Sequence, residues 1–273
     1  MRLGWPRLRV ATSIRVASAR SSPSSTAPLG DPVYELALFA GAGGGLLGSS
    51  LLGWRTVCAV EVEPFCREIL LRRQRDGLLD LFPVWDDVRT FAGRPWRGAV
   101  DVVTAGFPCQ PFSVAGAMRG ADDDRNLWPE TARILGEVRP RYAFLENVPG
   151  LLTSGYFDTV LGDLDALGFD ATWDCLPASA IGAPHRRDRL WIVAHAERAR
   201  LEEQQREPRD NGAECSASER GSDRGEGWAT EPNVGRVAHG VAHRVDRIRA
   251  LGNGQVPRVV AEAWRRLRCR GSR

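Results

Sequence analysis

Residues 34–52 read YELALFAGAGGGLLGSSLL, and the fold follows from them. Tyr34–Phe39 is a short apolar run. Gly41-Ala42-Gly43-Gly44-Gly45 comes next, and Leu46–Leu52 is apolar again. The expected elements are a strand, a tight glycine turn and a helix. Glycines let a backbone approach a ligand closely, and the start of the following helix favours polar or anionic groups. Glu61 closes the next apolar strand, Thr56–Glu61, twenty residues beyond Gly41. At that separation an acid reaches ribose hydroxyls. Taken alone, the turn fits a nicotinamide cofactor, an adenosyl cofactor or a plain structural turn. Leu46 stands where the dehydrogenase pattern G-x-G-x-x-G requires glycine, which weighs against the first.

Outward from this unit, apolar strands are expected at Ala99–Ala105, Tyr142–Glu146, Ala171–Leu176 and Leu190–Ala194. Helices are expected from Pro64 to about Arg73 and over Leu127–Val138, Phe157–Leu167 and Pro257–Leu267. Alternating strands and helices of this size argue an α/β sheet with helices on both faces. Ligands of such sheets bind at the carboxyl ends of the strands. Gly41–Gly45, Glu61, Asp86, Asp87, Cys109 and Glu146 all fall at or just beyond those ends. Residues 197–227 are polar, charged and poor in apolar side chains, so they cannot build a core of their own.

Composition narrows the class. The chain has 273 residues, 43% hydrophobic and 26% charged, which excludes collagenous and wholly disordered proteins. It contains no apolar run of about 18 residues, so no membrane-spanning helix is expected. Six scattered cysteines with no C-x-x-C pair argue against a disulfide framework or a zinc site and for a reducing compartment. The net charge is +3, all of its cations are arginine, and it is unevenly spread: +5 over 1–30, −6 over 31–193, −3 over 194–243 and +7 over 244–273. Residues 1–30, rich in Arg, Ser and Ala, are read as a flexible basic extension outside the fold.

Three further stretches carry chemistry. Gly106-Phe107-Pro108-Cys109-Gln110 holds a cysteine rigidly in a Gly/Pro-framed turn after a strand, a setting that suits a nucleophile. A thiol there needs a nearby cation or helix start to raise its thiolate fraction. Glu146-Asn147-Val148 ends the next strand, and a carboxyl in the same crevice becomes a proton donor if burial raises its pKa. The basic cluster His185-Arg186-Arg187-Asp188-Arg189 suits a phosphate or a base carbonyl.

The ordered set Phe39-Ala40-Gly41-Ala42-Gly43-Gly44, Glu61, Asp87, Pro108-Cys109-Gln110, Glu146-Asn147-Val148, Arg187-x-Arg189 and Gly252-Asn253 resembles the C5-cytosine DNA methyltransferase family over about residues 34–268. The resemblance implies a Rossmann-like S-adenosylmethionine-dependent methyltransferase fold with a small target-recognition region. It divides the chain into a catalytic domain (31–193), a short, partly disordered target-recognition region (194–243) and a C-terminal segment (244–273) that returns to the catalytic domain. By similarity, Phe39, Gly41, Gly43, Glu61, Asp87, Pro108 and Asn253 bind S-adenosylmethionine. Glu61 takes the ribose hydroxyls and Asp87 the adenine amino group. Cys109 adds to C6 of cytosine, Glu146 holds N3, Arg189 binds O2 and Arg187 supports the loop and substrate. Gln110 and Ser113 contact DNA within a closing loop, and Arg244 and Arg247 adjoin the recognition region as phosphate contacts. The implied partner is double-stranded DNA. The protein is expected to be a cytoplasmic monomer of bacterial or phage origin, of the kind found in restriction–modification systems, with no metal.

Departures from the family pattern are His185, where Gln is usual, and Gly254-Gln255, where Ser-Val is commoner. A tRNA-directed branch shares the Pro-Cys-Gln and Glu-Asn-Val motifs, but its Cys-Phe-Thr element is missing from this sequence. The short recognition region also leaves open a non-catalytic nucleic-acid-binding protein.

Overall fold

The computed structural model describes residues 32–108, 126–196 and 244–270. The expected extension over 1–30 and nearly all of the expected recognition region lie outside the described residues. In chain order the elements are β1 (Tyr34–Leu38), α1 (Gly44–Leu51), β2 (Arg55–Val60), α2 (Pro64–Arg75), β3 (Val84–Trp85), β4 (Val102–Ala105) and α3 (Trp128–Val138). They continue with β5 (Tyr142–Asn147), α4 (Tyr156–Ala166), β6 (Phe169–Leu176), β7 (Arg189–Ala196), α5 (Arg244–Asn253) and α6 (Pro257–Arg270). The seven strands form one sheet in the order β3-β2-β1-β4-β5-β7-β6. The first five are parallel, and β7 runs antiparallel to both its neighbours. This is the expected α/β, Rossmann-like class. Alternation did not signal β3, which is only two residues long, or the reversed direction of β7. That strand also runs to Ala196, past the expected 193/194 boundary.

Both faces of the sheet are covered, which is why β4 and β5 are apolar almost throughout. On one face Leu36, Leu38, Val103 and Leu145 meet α3 and α4 through Ile134, Leu135, Val160 and Leu164. On the other face Ala37 meets α1 and α2, while Phe144, Trp191 and Val193 meet α6. Trp264 of α6 is the hub there. Its ring lies 4.7 Å from Trp54, 5.1 Å from Tyr142 and 5.4 Å from Phe144, each edge-on. No helix among the described residues is long and apolar enough to cross a membrane.

Glu35 breaks the apolar pattern of β1. It is buried beneath α1, and its carboxylate accepts the hydroxyls of Ser49 (2.8 Å), Thr56 (2.8 Å) and Thr104 (2.7 Å), tying α1, β2 and β4 to β1. Burial pushes its pKa up, and the three donors offset this only in part. A carboxyl raised in the fold holds its proton more tightly there than in the unfolded chain. Its contribution to stability is therefore full below the unfolded pKa and is lost as pH rises through the folded value. Glu35→Gln removes that titration. Its urea-derived unfolding free energy should fall less steeply than that of the wild type as pH rises from about 4.5. Parallel wild-type and variant curves would show that Glu35 does not titrate differently on folding.

A glycine face on α1 admits the end of the chain. A Cβ on Gly44 would overlap the Gln255 carbonyl oxygen, and one on Gly48 would lie 2.5 Å from Val260 Cβ and 2.9 Å from the Pro257 carbonyl oxygen. Gly→Ala in a helix interior ordinarily stabilises by about 1 kcal/mol. At position 48 the collision reverses that sign, so Gly48→Ala should destabilise the protein by about 1–3 kcal/mol in urea denaturation. A stabilised variant would show that α6 is free to move off α1.

Candidate active site

Between β1 and β4 the strand order reverses, and the carboxyl ends of the two strands leave a cleft. Its walls include Phe39, Gly41, Gly106, Glu146, Asn253 and Gln255. The glycine turn forms one side. Phe39 and Gly41 have φ of 54° and Gly43 has φ of 87°. Phe39 lacks glycine's freedom and holds this left-handed conformation at a cost on the order of 1–3 kcal/mol.

Neighbouring elements fix the turn. The Ala40 N–H donates to the Val60 carbonyl (3.1 Å), and Arg73 of α2 donates to the Ala42 carbonyl (2.6 Å). Glu61 sits at the end of β2. Its Oε2 accepts the Gly41 N–H at 2.6 Å and its Oε1 the Glu63 N–H at 2.8 Å. Burial pushes the pKa of this carboxyl up, while the two backbone donors pull it down. A Cβ at Gly43 would approach Leu70 Cδ2 to 2.9 Å, whereas one at Gly41 would meet nothing within 4 Å. The turn is thus sealed by α2 behind Gly43 and open at Gly41.

Asp87 follows β3. Its Oδ1 accepts the Arg89 N–H (2.9 Å) and lies 3.7 Å from the Arg89 guanidinium. Like Gly43 and Glu61, it stands behind the described residues that line this cleft, and the neighbouring Asp86 is exposed.

Glu146 occupies the end of β5, on the sheet face that carries α1 and α6. The reversed direction of β7 now matters. Glu146 pairs with Trp191, so Arg189, two residues earlier in β7, reaches the same end and the same face. Arg189 Nε lies 2.9 Å from Glu146 Oε1, and Gln255 Nε2 donates to Oε2 at 3.3 Å. Burial raises the pKa of Glu146, opposed first by Arg189, then by Gln255 and by the charge of Arg187. Asn147, on the opposite face, is buried and donates from Nδ2 to the Phe107 carbonyl at 3.1 Å. That bond ties the Gly106-Phe107-Pro108 turn to β5. The Phe107 ring lies 5.0 Å from Trp128, which sets the turn against the start of α3. Cys109, Gln110 and Ser113 lie outside the described residues.

Arg187 reaches a different partner from Arg189. With φ of 39°, it sends its guanidinium to the carbonyls of Gly252, at 2.8 Å, and Gly254. Arg249 of α5 pairs with Glu63 at 3.2 Å, just beyond Glu61. These two links hold the α5–α6 junction over the cleft. Arg247 is exposed on α5, and nothing is described of the Arg244 side chain. Of the residues named from the sequence, Phe39, Gly41, Glu146 and Asn253 line one cleft and Arg189 reaches it through Glu146, whereas Glu63 was given no part and Arg249 was read only within the Arg244–Arg249 stretch expected to meet phosphates. Those two carry no motif, and only the structure pairs them across 186 residues of sequence.

Residues 35–223 match the family model described as C-5 cytosine-specific DNA methylase. Type II methyltransferase M.NgoMIV of Neisseria gonorrhoeae is 36% identical over 164 residues, covering 59% of this chain and 51% of that protein. Type II methyltransferase M.CviJI of Paramecium bursaria Chlorella virus IL3A is 34% identical over 161 residues, covering 58% and 42%. The chain spans about half the length, or less, of these curated relatives. The S. pombe Dnmt2 methyltransferase structure shares the fold, with a TM-score of 0.50 at 22% identity over 60% of this chain and 51% of that one.

Proposed function

The chain belongs to the C-5 cytosine-specific DNA methylase family, and from that premise we propose that it transfers a methyl group from S-adenosylmethionine to C5 of a cytosine flipped out of double-stranded DNA. The observation that carries the reading is the half-buried Glu146, held by Arg189 on one oxygen and Gln255 on the other beside the glycine turn. The cleft and the carboxylate behind its glycine turn fit the donor. The turn is open at Gly41, Phe39 and Asn253 flank it, and Glu61 keeps lone pairs beyond the two backbone bonds it accepts. When bound, S-adenosylmethionine supplies an electrophilic methyl group on sulfonium sulfur. Asp87 and Pro108 are assigned to the same ligand by family position.

Cytosine C5 is a weak nucleophile, and the residues of this chain answer that. The Cys109 thiolate forms a bond to C6 while Glu146 delivers its proton to N3, so the charge pushed into the ring is neutralised and C5 becomes enamine-like. A carboxyl whose pKa is raised by burial retains that proton closer to neutral pH. Arg189 steadies the carboxylate left behind and lies close enough to Glu146 to meet the base oxygen O2. After methylation C5 loses its proton to a base, the C6–sulfur bond breaks to release the thiolate, and N3 returns its proton to Glu146. A base stacked in a duplex is out of reach, so it must leave the helix first. Gln110 and Ser113 belong to the segment that would close over it.

Radiolabelled methyl transfer to duplex DNA tests the reading. Wild type should label DNA, and Cys109→Ala should fall to background and fail to form a covalent adduct with 5-fluorocytosine DNA. Equal labelling by both would remove Cys109 from the nucleophile role, and labelling of tRNA in place of DNA would replace the substrate.

The arginines at the start of α5 are assigned to DNA phosphates. Replacing both Arg244 and Arg247 with Ala should weaken DNA binding and flatten the dependence of log affinity on log salt by about two phosphate contacts. An unchanged slope would free them of that role.

A further inference from the structure

Resting on the reading above, we propose that Gln255 is a positioning residue for the proton donor: its side-chain amide, delivered by the C-terminal segment, fixes the second oxygen of Glu146 toward the cleft. Commoner members of the family carry Val at this point of the motif, and a valine has no donor to offer. Three glycines create the space that Gln255 uses. Its backbone lies against Gly44. Its Oε1 sits 2.5 Å from where a Gly45 Cβ would stand, and its Nε2 is 3.2 Å from a Cβ built on Gly106. The same Gly106 Cβ would be 3.0 Å from Glu146 Oε2. The amide is therefore threaded between the start of α1 and the turn after β4, and it ends on a carboxylate oxygen at 3.3 Å.

The two oxygens of Glu146 are held by different parts of the chain. Arg189 of β7 takes Oε1 at 2.9 Å. Gln255, joined to α5 and α6, takes Oε2. The charged groups acting on Glu146 among the described residues are Arg189 and Arg187, both from the β7 side. Arg187 also grips the Gly252 and Gly254 carbonyls, so it fixes the backbone from which Gln255 reaches. With Oε1 engaged by a cation, Oε2 is the oxygen left to carry the transferable proton. A neutral amide beside it orients the carboxyl without adding a charge that would strip that proton.

Gln255→Met keeps the length and bulk and removes the donor. Methyl transfer by this variant should show a kcat lowered about tenfold, with KM for DNA and for S-adenosylmethionine within about twofold of wild type. The alkaline limb of its kcat/KM profile should move to higher pH, because a donor that favours the charged carboxylate has gone. Gly45→Ala, which displaces the amide without altering it, should reproduce the lowered kcat, and the double variant should cost less than the two single losses combined. A Gln255→Met enzyme with wild-type kcat and an unmoved alkaline limb would overturn the proposal.

A second readout needs no activity. In full-length protein labelled with 13C at the glutamate carboxyls, with the Glu146 signal assigned by Glu146→Gln, the titration midpoint of Glu146 should rise in Gln255→Met. An unmoved midpoint overturns the role of Gln255 even if methyl transfer is found. A raised midpoint in a protein that never methylates DNA upholds the contact and sinks the functional reading instead.

Discussion

Everything at the cleft depends on how closely α6 and the segment before it lie against α1. Gly44 and Gly48 present bare backbone where a side chain would collide with Gln255 or Val260. Because of that closeness, Trp264 reaches Trp54, Tyr142 and Phe144 and closes the core on that face of the sheet. The same closeness carries Asn253 to the cleft wall and Gln255 onto Glu146. One run of glycines therefore serves two purposes. Gly41 and Gly43 let the turn adopt positive φ, and Gly44, Gly45 and Gly48 let the last part of the chain come near.

The second organising feature is the reversed strand. A parallel β7 would have placed its first residues at the far end of the sheet from Glu146. Running the other way, it brings Arg189 onto the carboxylate and Arg187 onto the loop before α6. Glu146 is half-buried at the end of β5 and held by opposite charge and an amide. Its proton affinity is set by a competition in which burial leads and Arg189 is the strongest opponent.

Much of this was legible in the sequence. Strands β1, β2, β4 and β5 announce themselves as apolar runs, because a strand covered on both faces has no polar side to show. Glu61 and Glu146 were legible because each ends such a run with an acid. Glu35 was not. It sits inside the run YELALF, and its three hydroxyl partners come from α1, β2 and β4, a convergence that periodicity cannot register. The fixed positions of Glu63 and Arg249 were hidden for the same reason. Gln255 was visible only as a departure from a motif, and its meaning came from the glycines around it. Asp87 was named from its place at a strand end and from the family resemblance, and in the structure its carboxylate accepts the Arg89 N–H and lies near the Arg89 guanidinium.

The path of the chain also fixes a distance between two described elements. β7 leaves the sheet at Ala196, beyond the His195–Tyr142 pair that marks the amino-terminal end of β5, the end away from the cleft. The chain is next fixed at the cleft side, where Arg249 grips Glu63 and Arg187 grips the loop after α5. Any connection between those points must travel at least the length of β5, about 20 Å, which takes roughly six extended residues. The first turns of α5, up to Arg249, supply part of that length. β5 therefore sets both where Glu146 stands and how far the chain must come back from Ala196 before Arg249 can meet Glu63.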